Sequence, residues 1–274
     1  MHIKPALGGV KLKNLTRAHV KGLYRDRLDS GSSPRTVQYV HVTLDKALKD
    51  AVADNLIPRN VSDGLKPSRS RRHEIHSLNL EQAKAFLHAA RGDRYEALYV
   101  LAVHCGLRQG ELLGLKWSDV DLDTNTLQVR RTMSEAREGR IEEGTKSGKG
   151  RRIELTRTVS EALRSHRERQ QVEIEGVGSW QDHGLVFPSL VGTPTNSKNL
   201  YWRSFKPLLK AAELPDITFH ELRHTCATIR FMKGQHPKQV QELLGHSSVA
   251  VTLDIYSHVI PGMGGDDVME DALS

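Results

Sequence analysis

One stretch in the last quarter of the chain carries an unusual set of reactive side chains. Two histidines and an arginine, His220, Arg223 and His224, fall on one short predicted helix, where positions 220 and 223 share a face. A third histidine, His246, follows in a Gly-His turn, and Tyr256 comes ten residues later. A His-Arg pair followed by a histidine and a tyrosine indicates a phosphate pocket with a hydroxyl nucleophile beside it.

The same stretch also supports a different chemistry. Its His-Glu-Leu-Arg-His segment, from His220 to His224, matches the H-E-x-x-H pattern of zinc proteases. In that hypothesis the two histidines bind zinc, Glu221 is the general base, and a third ligand such as Glu242 lies downstream. A five-residue match arises easily by chance, so this pattern leaves both chemistries open.

The distribution of charge separates the first quarter of the chain from the rest. The 274 residues carry a net charge of +7, with 38% hydrophobic and 27% charged residues, and are enough for two domains. Residues 1–72 hold 15 Lys and Arg against 6 Asp and Glu, a net +9, while residues 73–274 hold 25 against 27, a net −2. This excess predicts a surface that contacts a phosphate backbone, although a solvated basic face would give the same count.

Other features of the sequence bear on the cellular compartment. The longest apolar run, around residues 97–107, is too short to span a bilayer. Because no signal peptide is recognisable, we expect a cytoplasmic protein with no membrane partner. Cys105 and Cys226 lie in apolar helical patterns and are expected to be buried free thiols.

The first predicted domain, residues 1–66, is a small all-helical unit. Apolar residues recur at helical spacing from residue 16 to 30, and Ser33 followed by Pro34 predicts the start of a longer helix. Residues 67–77 are polar and charged, which predicts a linker. The basic side chains expected to contact a nucleic-acid backbone are Arg35, Lys66, Arg69, Arg71 and Arg72.

The second predicted domain, residues 78–274, is mostly helical around a small sheet. A strand-turn-strand pattern covers residues 120–131, and a polar arm with a turn at 145–150 leads to a returning strand at 152–155. Helical patterns precede and follow these strands. The predicted class is therefore mainly α with a small antiparallel β-sheet, an α+β domain preceded by a small all-α one.

Four segments together resemble the tyrosine recombinase family, in particular the integrases of phages and integrative elements. They are the G-L-R-x-G-E-L-L-G-L-x-W-x-D-V-D run at 106–121, His-x-x-Arg-His at 220–224, Leu-Gly-His at 244–246, and Tyr256-Ser-His. Their order and spacing agree with the family, and the resemblance extends over essentially the whole chain. It implies a site-specific DNA recombinase that integrates or excises a mobile element through a covalent 3′-phosphotyrosyl intermediate, without a metal or cofactor.

The resemblance implies a role for each reactive residue. Tyr256 would attack the scissile phosphate, while Arg108 and Arg223 would hold its non-bridging oxygens. His220 would be the general base for the tyrosine hydroxyl, and His246 would donate a hydrogen bond to the phosphate.

Three further positions complete the implied site. Lys146, on the turn of the polar arm, resembles the general acid that protonates the leaving 5′-oxygen, although Lys149 lies on the same turn. Glu111 is expected to hold an arginine or histidine in place. His224 is expected to be a structural, hydrogen-bonding histidine.

The implied partners are double-stranded DNA at attachment sites, further copies of the chain as dimers and tetramers, and accessory DNA-bending proteins. Three other functions stay open: a type IB topoisomerase, a DNA-binding module without catalysis, and the zinc hydrolase. The zinc hypothesis leaves Arg108, Lys146, His246 and Tyr256 unexplained. A DNA-binding module without catalysis is disfavoured because none of the positions implied to be catalytic is degraded. A basic helical domain ahead of the catalytic one would let the two clamp a duplex, which favours a recombinase over a topoisomerase.

The two ends of the sequence depart from the family pattern. Phage-type integrases commonly begin with an arm-binding domain and a first core-binding helix, and both are expected to be missing before His2, which would weaken DNA binding. Past the tyrosine, Pro261 to Gly265 interrupts the helix that relatives dock on a neighbour, so residues 268–273 are expected to form at most a short apolar-faced turn.

Overall fold

The chain folds into two compact units, Met1–Glu74 and Ile75–Ser274, which divide at a point within the predicted linker. The computed structural model describes residues 2–68, 76–133, 141–143 and 150–257, with the backbone alone described at 141–143. Helices predominate over a small antiparallel sheet, which confirms the predicted fold class. Within these residues, no helix has both the length and the apolar composition needed to cross a bilayer.

The first unit is helical and has an apolar core of its own. Its elements are α1 (Lys4–Leu7), a 3₁₀ turn (Leu12–Asn14), α2 (Arg17–Asp29) and α3 (Pro34–Ala53). Ser33 accepts a hydrogen bond from the backbone N–H of Thr36 at 3.1 Å, and Pro34 occupies the first turn of α3, as the sequence predicts. The core is formed by Val20, Leu23, Tyr24, Val37, Val40, Leu44 and Leu48.

The second unit surrounds a short sheet with helices. Its helices are α4 (Leu80–Ala89), α5 (Glu96–Cys105), α6 (Gln109–Leu113), α7 (Arg157–Gly176), α8 (Ser197–Leu200), α9 (Lys206–Ala211), α10 (Phe219–Met232), α11 (Pro237–Leu244) and α12 (Val249–Tyr256). A π-helical turn (Tyr201–Phe205) joins α8 to α9. The strands are β1 (Val120–Asp121), β2 (Thr126–Val129), β3 (Arg131–Met133), β4 (Ile141–Glu143) and β5 (Arg151–Glu154).

The strands form two small antiparallel groups. β1, β2 and β5 make one sheet in that order, with Leu127 opposite Ile153, and both side chains are buried in the core. β3 and β4 pair separately. Strand β5 is the predicted returning strand, and it places Arg151 on the same face as buried Ile153, because side chains alternate along a strand.

Helix α5 forms the centre of the second unit. It is apolar around nearly its whole circumference and packs against α7 and α10. The Tyr99 hydroxyl lies 2.6 Å from the hydroxyl of Ser204, and the tyrosine ring packs among Phe86, Phe205 and Phe219. This buried layer fixes α5 and α10, the two helices whose ends form the candidate site.

Gly106 ends α5 at a point of close contact with two other helices. Its φ of +63° lies in the left-handed region that glycine adopts without strain. A Cβ at this position would lie 2.5 Å from Cδ2 of Leu244 and 3.2 Å from Sγ of Cys226. The ends of α5 and α11 therefore meet against α10. As predicted, Cys226 and Cys105 are buried free thiols.

Candidate active site

Arg108 lies at the N-terminus of α6, where a buried glutamate holds it. Glu111, one turn later, accepts hydrogen bonds from the backbone N–H of Arg108 and from its Nη1, both at 2.9 Å. The Arg108 side chain is 35% exposed and that of Glu111 is 2% exposed. The guanidinium is thus anchored on its inner side and remains partly open to solvent.

A second arginine, Arg151 at the start of β5, also binds Glu111. Its Nη1 and Nη2 donate to the two carboxylate oxygens at 2.9 and 2.8 Å. Burial by itself raises the pKa of the Glu111 carboxyl, but the hydrogen bonds and charges of Arg151 and Arg108 outweigh it and lower this pKa to about 2. The carboxylate therefore stays ionised at physiological pH and links the two arginines.

Arg223 is buried beneath the site and binds the ends of two helices. Its Nη1 donates to the carbonyl of Gly106 at 2.7 Å, and its Nη2 donates to the carbonyl of Leu244 at 2.6 Å. These carbonyls belong to the C-terminal ends of α5 and α11, where partial negative charge favours a cation. Burial and the charge of Arg108 lower the pKa of Arg223 to about 9, which leaves it protonated at pH 7.

His246 follows the left-handed Gly245 that ends α11. Its Nδ1 lies 2.9 Å from Oγ1 of Thr252, a fully buried residue on α12. Burial, together with the charges of Arg223 and Arg108, lowers the pKa of His246 to about 3. The ring is therefore neutral at pH 7, and in the tautomer that accepts from Thr252 its Nε2 carries a proton that it can donate.

The hydroxyl of Tyr256 is held by a histidine of α10. Nδ1 of His224 lies 2.6 Å from this oxygen, and the tyrosine is 1% exposed. Burial raises the pKa of the Tyr256 hydroxyl above its ordinary value, so the group needs a base before it can attack. The rings of His220 and His224 lie 5.0 Å apart and are nearly perpendicular. Partial burial and the charges of Arg223 and Arg108 lower the pKa of His220.

The glutamate of the H-E-x-x-H match has a structural role. Glu221 is buried and accepts hydrogen bonds from the backbone N–H groups of His76 and of Thr218, the residue directly before α10. It therefore caps its own helix. Because His224 is directed at Tyr256, two members of the zinc-protease pattern are used in other contacts.

The structure thus brings five of the six predicted catalytic residues into one connected region. Arg108, His220, Arg223, His246 and Tyr256 lie there together with the two supporting residues, Glu111 and His224. The sixth, Lys146, lies outside the described residues, as do its alternative Lys149, the linker residues Arg69, Arg71 and Arg72, and the C-terminal segment at 261–273.

The other two predicted DNA contacts are exposed in the first unit. Arg35 donates to the hydroxyl of Tyr39 at 3.1 Å, and its guanidinium lies 4.9 Å from the centre of that exposed ring. Lys66 is exposed as well. Both cations are available to a polyanion.

Sequence reasoning missed two residues of the site and left the partner of a third unnamed. Arg151 and Thr252 were not predicted, although each touches a predicted residue. A signal existed for Arg151, since an arginine two positions before Ile153 lies on the apolar face of a strand and needs a buried acid as partner. His224 was expected to form structural hydrogen bonds, and its partner is the nucleophile candidate itself.

Comparisons with known proteins bear on the family of this chain. Residues 76–262 match the family described as "Phage integrase family". A "Tyrosine recombinase XerC-like" protein of Caldanaerobacter subterraneus is 33% identical over 275 residues, covering 93% of this chain and 70% of the relative. An integrase of Streptomyces ambofaciens is 33% identical over 265 residues, covering 93% and 68%.

A solved structure shares the same fold. The Tn1549 transposon integrase in complex with circular intermediate DNA superposes with a TM-score of 0.77 at 22% identity, covering 98% of this chain and 88% of that one. The family match spans most of the chain, and the relatives align over nearly all of it. The chain therefore belongs to the phage integrase family and is a tyrosine recombinase.

Proposed function

We propose that this recombinase cleaves and rejoins double-stranded DNA at attachment sites, with Tyr256 as nucleophile. The observation that carries the proposal is the connected network of the site. Glu111 binds Arg108 and Arg151, Arg151 and Arg223 bind consecutive carbonyls at the end of α11, and His224 binds the tyrosine hydroxyl.

The proposed reaction exchanges one phosphoester for another. The Tyr256 oxygen attacks the scissile phosphorus and forms a 3′-phosphotyrosyl bond, while the bond from phosphorus to the 5′-oxygen breaks. The tyrosine proton passes to a histidine, and the leaving 5′-oxygen takes a proton, a role proposed for Lys146. The reverse reaction with a new 5′-hydroxyl rejoins the strand, so no external energy source is consumed.

The electrostatics of the site support a phosphate ligand. Arg108 and Arg151 share the Glu111 carboxylate, and Arg223 donates to helix-end carbonyls. These three guanidinium groups outnumber the carboxylate bound to them, so this network carries excess positive charge before any substrate arrives. A phosphodiester in the transition state gains negative charge on its non-bridging oxygens, which fixed guanidinium donors stabilise. Neutral His246 would add a hydrogen bond without adding to the repulsion.

The contact between His224 and Tyr256 bears on the general base. The resemblance assigns that role to His220, and the hydrogen bond makes His224 the first proton acceptor within reach. We propose that the proton leaves through His224 and that His220, whose ring contacts it edge to face, stabilises the charge or completes the transfer.

The proposed assembly is a dimer or tetramer on paired attachment sites, acting in the cytoplasm with accessory DNA-bending proteins. One structural relative, the lambda integrase, is described as a dimer bound to a core site, with a TM-score of 0.64. We propose that residues 1–66 and 78–274 act as separate DNA-binding and catalytic domains. Arg35, Lys66, Arg69, Arg71 and Arg72 would then contact the DNA backbone.

Covalent trapping tests the proposed function. The protein is mixed with overlapping duplexes that together cover the DNA bordering its gene. Each duplex is nicked so that the fragment with the freed 5′-hydroxyl diffuses away, and the reaction products are separated on a denaturing gel. We expect a protein–DNA adduct that persists with chelator and is absent in Tyr256→Phe. An adduct that forms in Tyr256→Phe would refute this nucleophile. An activity that requires zinc would instead support the hydrolase hypothesis.

A further inference from the structure

We propose that Arg151 is a positioning residue, which fixes the phosphate-binding groups relative to the strand that follows Lys146. The inference rests on the proposed function, because it concerns the same site. Arg151 uses Nε, Nη1 and Nη2 in hydrogen bonds to protein groups, and its side chain is only 11% exposed. It therefore lies beneath the site, where it acts through its neighbours.

The first contact that matters is the fork on Glu111. A bidentate pair fixes both the distance and the plane of a carboxylate, which a single hydrogen bond does not. The same carboxylate receives two hydrogen bonds from Arg108. The orientation of Glu111, and with it the direction of the Arg108 guanidinium, consequently depends on Arg151.

The second contact is with the end of α11. Arg151 Nε donates to the carbonyl of Leu243 at 2.7 Å, next to the Leu244 carbonyl that binds Arg223. The Arg151 side chain also packs under Gly245, where an added Cβ would lie 3.1 Å from its Cδ. One side chain thus fixes the helix end and the turn directly before His246.

The third link runs from Arg151 into the sheet. The backbone of Arg151 pairs with Val129 of β2, and Ile153 on the same face is buried in the core. Lys146 lies five residues earlier in the sequence. Arg151 therefore joins strand β5 to the groups proposed to hold the phosphate.

The test measures adduct formation in single turnover at saturating DNA, with DNA affinity measured separately. Arg151→Gln is expected to slow adduct formation about 100-fold while changing affinity little, because small displacements of reacting groups cost that much. Arg151→Lys keeps the charge but lacks the planar fork, so we expect a smaller loss. Arg152→Gln, an exposed arginine one position away, is the matched control and is expected to cleave at the wild-type rate.

A comparison of single and double variants separates positioning from a loss of packing. If Arg151 acts through Glu111, the combination of Arg151→Gln with Glu111→Gln should be no slower than the slower single variant. Losses that multiply would contradict the link through Glu111, and a wild-type rate in Arg151→Gln would overturn the whole inference. Should Arg151→Gln fail to fold, a wild-type rate in Arg151→Lys would overturn it equally.

The outcome for the wild-type protein distinguishes the two proposals. A wild-type chain that forms no adduct on any of the overlapping duplexes would contradict both the proposed function and the role of Arg151. A wild-type adduct together with an equally active Arg151→Gln would contradict the role of Arg151 alone.

Discussion

At the scale of single residues, the candidate site is defined by the burial of like charges. Arg108 and Arg151 share the Glu111 carboxylate, and Arg223 donates to the helix-end carbonyls of Gly106 and Leu244. Such an arrangement is costly without an anion, because each buried cation loses water. Burial and the positive charges of Arg223 and Arg108 also lower the pKa values of His220 and His246, since a further proton there would add to the repulsion.

Removal of one cation should therefore raise the pKa of His246. Arg108→Ala takes away a positive charge that disfavours the imidazolium form, so the pKa of His246 should move upward from about 3. The imidazole proton resonances can be followed by NMR over a pH titration. Arg152→Gln should leave the titration unchanged, and a His246 pKa that stays fixed or falls in Arg108→Ala would contradict the electrostatic account.

The contact of His224 with Tyr256 gives a second prediction. If His224 takes the tyrosine proton first, His224→Gln should slow adduct formation by about 100-fold to 10,000-fold, the usual range for a general base. The loss should shrink as the pH rises toward the pKa of Tyr256. His220→Gln serves as the comparison. A wild-type rate in His224→Gln, with a large loss in His220→Gln, would return the role of first acceptor to His220.

The residues found from the sequence and those missed differ in a physical way. Arg108, Arg223, His246 and Tyr256 stand in short motifs that resemble those of a known family, and that resemblance singled them out together. Arg151 gains its role only when β5 pairs with β2 and brings it against α6 and α11. A contact between residues 40 positions apart has no local signal beyond an arginine on an apolar strand face.

At the scale of elements, helix ends position the site. Local chemistry fixes several of these ends: Thr218 and Glu221 cap α10, and Gly106 and Gly245 end α5 and α11 in the left-handed region. These capping residues and terminal glycines can be recognised in the sequence. The π-helical turn at Tyr201–Phe205 was not predicted, because nothing local separates it from the flanking α-helix.

The end of α5 provides a matched test of this packing. Gly106→Ala and Gly234→Ala both place alanine in the left-handed region, with φ of +63° and +74°. This strain costs about 1–2 kcal/mol in each. At Gly106 the new Cβ would also meet Leu244 at 2.5 Å, whereas nothing lies within 4 Å at Gly234. This overpacking should reduce the free energy of unfolding of Gly106→Ala by about 1–3 kcal/mol more than that of Gly234→Ala.

Urea denaturation measures both losses in free energy of unfolding. Because Leu244 also accepts a hydrogen bond from Arg223, Gly106→Ala should slow adduct formation as well, and Gly234→Ala should not. Equal destabilisation by the two variants would show that the contact between α5 and α11 is softer than this geometry implies.

At the scale of the whole molecule, charge and chemistry are separated along the chain. Residues 1–72 carry a net +9, and residues 73–274 carry a net −2 despite the three arginines of the site. The arginines of the candidate site are hydrogen-bonded to protein groups, while the first unit exposes Arg35 and Lys66. Long-range attraction to DNA should therefore come mainly from the first unit.

The salt dependence of binding to any duplex tests this division without knowledge of the attachment site. Each phosphate contact contributes about 0.9 to the slope of log affinity against log salt concentration, so Arg35→Gln and Lys66→Gln should each reduce its magnitude by about 1. Lys49→Gln, in the same unit, is the control, because its ammonium is already paired with Asp45 at 2.8 Å. The prediction is contradicted if the slopes of Arg35→Gln and Lys66→Gln are unchanged, or if Lys49→Gln changes the slope equally. Either result would mean that the excess charge of the first unit is a solvated surface and that DNA affinity originates in the second unit.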